Sequence, residues 1–307
     1  MPGAVSHRRF EQGDRIVVIA NPATRAEILK VYSALMRRLP AGIHLEVQET
    51  RAGENARSLA LRLREGTAGM VAVGGDGTVS SVAAALHGTD IPLGIIPGGS
   101  TNIIARELGI PSALEPAVQL LFDDFAVRQI DVGVCNDNHF LHMAGAGFDS
   151  RLFDMADPAL KKRIGWVAYL PAAIKALRDP ARKYRLVIDG ERIEVESPLV
   201  LVANGSSVIT PRIRIGADIR PDDGQLDVMV VTATRPHELA SVLGRFASLT
   251  LDSSPYVIYR KAKKVVVESD KPIPVQLDGD VMERTPATFS VLPHDIGIIV
   301  PRLAPGR

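Results

Sequence analysis

One cysteine, Cys135, in 307 residues excludes an intrachain disulfide, and a chain without disulfides fits a reducing cytoplasm. No stretch approaches the ~20 apolar residues that a bilayer-spanning helix needs. Met1 to Asp14 lacks an apolar run, so it does not read as a signal peptide; it reads as a mobile tail. No charge of one sign dominates: 36 Lys and Arg against 35 Asp and Glu give a formal net charge of +1. That excludes a surface-wide field drawing in nucleic acid or anionic membrane, and any membrane contact has to be local. The seven histidines show no HExxH spacing, which argues against zinc.

What is present is apolar and ordered. The hydrophobic share is 46% and the charged share 23%, the composition of a packed globular chain, and the length fits about two domains of roughly 150 residues. Arg15 to Asn21 is a continuous apolar run stopped by Asn21-Pro22, the pattern of a buried parallel strand. Helix-like spacing over Ala26–Leu39, a strand over His44–Thr50, a helix over Asn55–Arg64 and a buried strand over Gly69–Val73 follow. Then come a small-residue helix over Thr78–His87, a strand over Pro92–Pro97 and a helix over Thr101–Leu108. This alternation predicts a doubly wound parallel α/β domain over 15–132.

Beyond Asp131 the pattern changes. Strand-like runs succeed one another: Tyr184–Ile188, Ile193–Val195, Leu199–Ala203, Leu226–Val231, Lys264–Glu268, Pro274–Leu277, Thr288–Leu292 and Gly297–Val300. Asp189-Gly190 between two of them signals a hairpin. Helical segments interrupt at about Ala159–Leu177 and Pro236–Leu249. A mainly antiparallel β domain over 133–293 is expected, and its first helix, with Trp166 and Tyr169, suits a pocket wall or a membrane interface.

The sharpest motif is Gly74-Gly75-Asp76-Gly77-Thr78, leaving a buried strand and opening a helix. Glycines there let backbone N–H groups approach phosphate oxygens, and a helix N-terminus adds positive potential. Asp76 is out of place beside phosphate unless Mg²⁺ lies between them. The next strand ends likewise, in Pro97-Gly98-Gly99-Ser100-Thr101-Asn102. Two successive glycine loops at strand C-termini mark the ligand edge of an open α/β sheet. Neither is GxGxxG or a P-loop, and glycine-rich turns with an N-cap aspartate are the alternative reading.

Gly74 to Thr78 resembles the signature of the diacylglycerol kinase catalytic family, shared with NAD kinases. Further elements resemble the lipid kinase branch in order: Asn21-Pro22-Ala23-Thr24; Pro97 to Asn102 continued by Ala105 to Gly109; Gly145-Ala146-Gly147-Phe148-Asp149; Asn204-Gly205; Arg220 to Asp227; and Gln276-Leu277-Asp278-Gly279-Asp280. The resemblance implies an ATP-dependent phosphotransferase acting on a diacylglycerol-like or sphingoid-like lipid hydroxyl. It implies an active site in the cleft between the domains and a C-terminal segment, 294–307, returning to the first. ATP contacts would fall on Asn21, Thr24, Thr50, Gly74, Gly75, Asp76, Gly77, Thr78, Gly99, Ser100 and Asn102, with Asp76 acting through Mg²⁺. A structural Mg²⁺ would take the Asp223 carboxylate and the carbonyls of Arg220 and Gln225, with Asp131 linked through water. Asp280 stands where the family has a glutamate general base, Ile103 where many bacterial members have aspartate, and Arg25 where glycine is usual. The resemblance thus makes Asp280 and Asp76 the catalytic candidates, either of which would take the hydroxyl proton, and a hairpin turn is the alternative reading of Asp280, since Asp-Gly-Asp is good turn chemistry. An NAD-kinase-like nucleotide kinase and an inactive nucleotide-binding regulator are the alternatives. The expected setting is cytoplasmic, with transient peripheral contact to the lipid surface and no nucleic acid partner; a homodimer is compatible with it.

Overall fold

Runs of β-branched residues bounded by turn formers build the strands of this chain. A computed structural model describes residues 5–22, 28–51, 53–147, 181–206, 218–233, 235–248 and 250–302. The chain divides into Met1–Asp131 with Pro293–Arg307, and Val132–Leu292.

In the first unit β1 is Val5–Arg8, β2 Arg15–Ala20, β3 His44–Glu49, β4 Gly69–Gly74 and β5 Leu93–Pro97. The last four run parallel in the order β5-β4-β2-β3. Helices α1 (Ile28–Arg38), α2 (Ala56–Leu63), α3 (Asp76–Leu86), α4 (Ile103–Glu107) and α5 (Leu114–Phe122) alternate with them or follow. All of β4 and five of the six residues of β2 are buried, as strands covered on both faces must be. Val31 and Leu35 of α1 and Val118 and Leu121 of α5 close one face over Ile16, Val18, Val71, Val73 and Ile96.

Within the segment expected as a mobile tail, residues 5–8 form β1, which pairs antiparallel with β6 (Phe125–Cys135), Val5 opposite Arg128 and Arg8 opposite Phe125. One aromatic anchor holds the segment, the Phe10 ring lying 5.1 Å from that of Phe125. So short a segment has no periodicity to betray it.

The second unit is antiparallel. One of its sheets joins β9 (Arg182–Ile188), β10 (Glu191–Ser197), β14 (Lys264–Ser269) and the first half of β17 (Ala287–Val300). The other has six strands, β13 (Val257–Ala262), β12 (Leu226–Val231), β11 (Leu199–Ala203), β8 (Met143–Ala146), β15 (Pro274–Leu277) and β16 (Asp280–Arg284), in that order. A core containing Phe140, Tyr184, Leu186, Val202, Val228, Val265 and Phe289 fills the unit. Behind the six-stranded sheet, Val242 of the helix Pro236–Ala247 packs with Leu199, Met229 and Val231.

The two final strands expected from sequence are one 14-residue strand, β17. Its first half pairs with β14, and Ile298 in its second half aligns parallel with Leu93 of β5. Helix α5 and strands β6, β7 (Asn138–Phe140), β8, β13 and β16 lie outside the elements expected from sequence. The helix expected at Ala159–Leu177 lies outside the described residues.

Candidate active site

The parallel sheet of the first unit carries the nucleotide motif at one edge. β2 leads into Asn21 and β3 into Thr50, β4 ends at Gly74 and β5 at Pro97, and parallel pairing brings these C-terminal ends side by side. Backbone bonds continue the ladder past the strands: Asn21 N to Val73 O at 3.0 Å, Thr50 N to Ala20 O at 2.9 Å, and Gly98 N to Gly74 O at 2.8 Å. Asn21, Thr50, Gly74 to Thr78 and Gly99 to Asn102 therefore share one edge. Thr24, Phe148 and Asp149 lie outside the described residues.

The two glycine loops touch. A Cβ on Gly99 would come 2.6 Å from the Gly75 Cα, and one on Gly75 would come 3.3 Å from the Gly99 Cα. Only backbone fits between them, which is the physical use of glycine at both positions. Gly74 faces the Thr78 side chain, where a Cβ would meet Oγ1 at 2.5 Å. Thr78 is buried, and Asn21 Nδ2 donates to its Oγ1 at 3.4 Å.

Helix α3 begins at Asp76, two residues earlier than the sequence suggested, so Asp76 sits in its first turn. The Thr78 and Val79 amides both return to the Gly75 carbonyl. The first amides of a helix have no partner within it and attract anions. Asp76 Oδ1 accepts the Ile104 amide at 3.0 Å and so ties α3 to α4. Asn102, buried in the left-handed conformation at φ 48°, clamps its own loop: Oδ1 accepts the Gly99 amide and Nδ2 donates to the Gly99 carbonyl, each at 2.8 Å. Its side chain shapes the cradle from within, whereas Ser100 is exposed.

In the second unit the Asp278-Gly279-Asp280 segment is a two-residue hairpin between β15 and β16. Asp278 at φ 48° and Gly279 at φ 104° are the two positive-φ positions of a type I′ turn. The Asp278 carboxylate accepts the amides of Leu141, His142 and Met143 at 2.8, 2.9 and 2.9 Å. Gly279 N donates to Gln276 Oε1 at 2.8 Å. Asp280 follows the turn, opposite Leu277, and is exposed. Of the two carboxylates Asp278 is a structural acceptor and Asp280 is accessible.

The loop from Arg220 to Gln225 shows what the implied structural Mg²⁺ would meet. Asp223 Oδ1 accepts the Gln225 amide at 3.0 Å, and Oδ2 takes the Lys261 ammonium at 2.6 Å. Each carboxylate oxygen has a partner, and one of them is a cation of the chain itself, which a divalent ion at Asp223 would have to displace or face across a shared oxygen. Lys261 was not singled out from sequence, nor was Tyr259, whose hydroxyl donates to Asp227 Oδ1. The alternation Tyr259-Arg260-Lys261 on a strand was the available signal. Burial pushes the Asp227 carboxyl up to about 6 against the opposing pull of Tyr259 and Lys261. Burial also works against the charge of Lys261, but the bond to Asp223 and the fields of Asp227, Asp223 and Asp218 outweigh it and raise its pKa.

Among the described residues no helix is long and apolar enough to cross a membrane. Residues 15–135 match the diacylglycerol kinase catalytic domain, and residues 142–300 match the YegS C-terminal NAD kinase beta sandwich-like domain. A Pseudomonas aeruginosa protein named as a probable lipid kinase, YegS-like, is 32% identical over 285 residues, 90% of this chain and 91% of that protein. A diacylglycerol kinase of Mycobacterium tuberculosis is 32% identical over 311 residues, covering 96% and 97%. A crystal structure of a proposed diacylglycerol kinase from Bacillus anthracis superimposes with a TM-score of 0.77 at 25% identity, covering 94% of this chain and 97% of that one. By both domains and by these relatives, the chain belongs to the diacylglycerol kinase catalytic-domain family, as a member carrying the YegS-type C-terminal domain.

Proposed function

We propose that this kinase-family chain transfers the γ-phosphoryl group of ATP, taken as its Mg²⁺ complex, to the hydroxyl of a lipid. The observation that carries the reading is the pair of glycine loops in mutual contact at the C-terminal edge of the parallel sheet, with Asp76 at the mouth of α3. Phosphoryl transfer asks the protein for positioning and charge neutralisation more than for covalent chemistry. The opening amides of α3 and the Gly75 amide supply donors for phosphate oxygens, while Asn102 holds the Gly99 amide and so fixes the neighbouring loop. Thr78 and Asn21 border them. Asp76 holds α4 with one oxygen and has the other to offer a metal ion carried by the nucleotide. When bound, that ion supplies charge neutralisation. Asp280, accessible on the second unit, takes the proton of the acceptor hydroxyl. Asp278, with three amides on its carboxylate, is unsuited to that role.

An acceptor with a primary hydroxyl beside an apolar tail fits the names of the relatives, which include lipid and diacylglycerol kinases. The NAD kinase-like character of the second domain keeps a nucleotide acceptor as a second reading. Incubation with radiolabelled ATP and a panel of diacylglycerol, sphingoid base, ceramide, phosphatidylglycerol and NAD, resolved by thin-layer chromatography, separates them. Label in a lipid is expected. Label in NAD alone would establish the second reading, and nucleotide binding without label in any acceptor would show an inactive regulator.

A further inference from the structure

Strand β13 puts Lys261 directly opposite Asp227 of β12, so the two side chains stand on one face of the six-stranded sheet. From there the lysine reaches into the loop that precedes β12. Its Nζ lies 2.6 Å from Asp223 Oδ2, 2.9 Å from the Asp218 carbonyl oxygen, 3.7 Å from Asp218 Oδ2 and 3.9 Å from Asp227 Oδ1. The Asp223 side chain is 7% exposed and that of Asp227 0%. Four oxygens of three aspartates thus converge on one ammonium, the arrangement of a small cation cage. An ammonium has three donors, and the Asp223 carboxylate and the Asp218 carbonyl take two of them.

Buried carboxylates require a compensating charge, and a divalent ion is one way to supply it. Mg²⁺ would need carboxylate oxygens at about 2.0–2.1 Å. With Lys261 at 2.6 Å from Asp223, ion and ammonium would repel each other across one oxygen. We propose that Lys261 is the resident cation of the Asp218–Asp227 loop, and that divalent metal binds there only when the lysine's charge is removed.

Two measurements on the full chain decide it, and both read stability or metal content, so they stand apart from the lipid kinase reading. Purified wild type, desalted and analysed by mass spectrometry for metals, should carry no stoichiometric Mg²⁺ or Ca²⁺, and its melting temperature should be the same in EDTA and in MgCl₂. Lys261→Met keeps the aliphatic stem and removes the charge. It should melt roughly 10 °C lower in EDTA, the order expected when one partner of a mostly buried ion pair is removed from a domain of this size, and regain part of that on adding MgCl₂ through binding to the folded state. Lys261→Arg should stay insensitive to EDTA. Wild type that co-purifies with one equivalent of metal and melts lower in EDTA overturns the proposal, even if the methionine variant does not fold. A folded Lys261→Met variant with unchanged melting temperature and no response to MgCl₂ overturns it as well.

Discussion

Asp278 and Asp280 stand two residues apart, and their surroundings separate them. Asp278 accepts three backbone amides, so Asp278→Asn, which loses one acceptor oxygen, should destabilise the fold by about 1–3 kcal/mol. Asp280→Asn should leave the melting temperature unchanged and lower turnover by about 10²–10⁴, the range of general-base catalysis. Asp280→Glu, the residue usual in the family, should retain substantial activity. Thermal melts and kcat on the three variants check this; an Asp280→Asn enzyme as fast as wild type would reduce Asp280 to a turn residue. Asp76 permits a similar separation, because asparagine can still accept the Ile104 amide through Oδ1. Asp76→Asn should therefore melt like wild type while turnover falls at least about a hundredfold, the magnitude attached to losing electrostatic stabilisation at a transferring phosphoryl group. Asp76→Ala should lose about 1 kcal/mol of stability in addition, since it also removes a helix-capping acceptor.

At the scale of elements, the contact between the loops after β4 and β5 sets the cradle. Adding one methyl group tests it. On Gly99→Ala the Cβ would lie 2.6 Å from the Gly75 backbone, and backbone cannot rotate aside; on Gly75→Ala the distance is 3.3 Å. Gly99→Ala should cost about 1–3 kcal/mol, the usual penalty of overpacking, and should weaken ATP binding by pushing the loops apart. Gly75→Ala should do less on both counts. Calorimetric titration with ATP and thermal melts would show the ordering, and equal behaviour of the two variants would mean the loops are not in contact in solution.

For the molecule as a whole, Cys135 links folding to pH. It is fully buried, and burial, aided by Glu283, pushes its thiol from about 9 up to about 12. The unfolded chain therefore ionises first as pH rises. Cys135 leaves stability intact below about pH 9 and withdraws it as pH climbs from there through about 12, at up to about 1.4 kcal/mol per pH unit. Cys135→Ser should flatten that part of the alkaline stability curve in urea titrations. Native protein should resist iodoacetamide, and urea-unfolded protein should take up one equivalent, since the thiolate is the reactive form.

Sequence by itself determined the parts that depend on neighbours along the chain. The apolar run at Arg15–Ala20, the glycine loops at Gly74 and Gly98, the change from alternating helices and strands to consecutive strands, and the family resemblance were all legible there. Tertiary structure decided the parts that depend on which distant residues meet. Asp76 holds Ile104, 28 positions away. Asp278 holds Leu141 across 137 positions, and so the two carboxylates of one short motif separate into a structural and an accessible one. β1 finds its partner in β6, at a separation no local pattern encodes. Lys261 reaches Asp223 across 38 positions, and strand register, not the residue's own sequence neighbourhood of arginines and lysines, turns it inward. Local propensity acts through the backbone of a few residues, whereas the charge a buried carboxylate meets is set by register and packing.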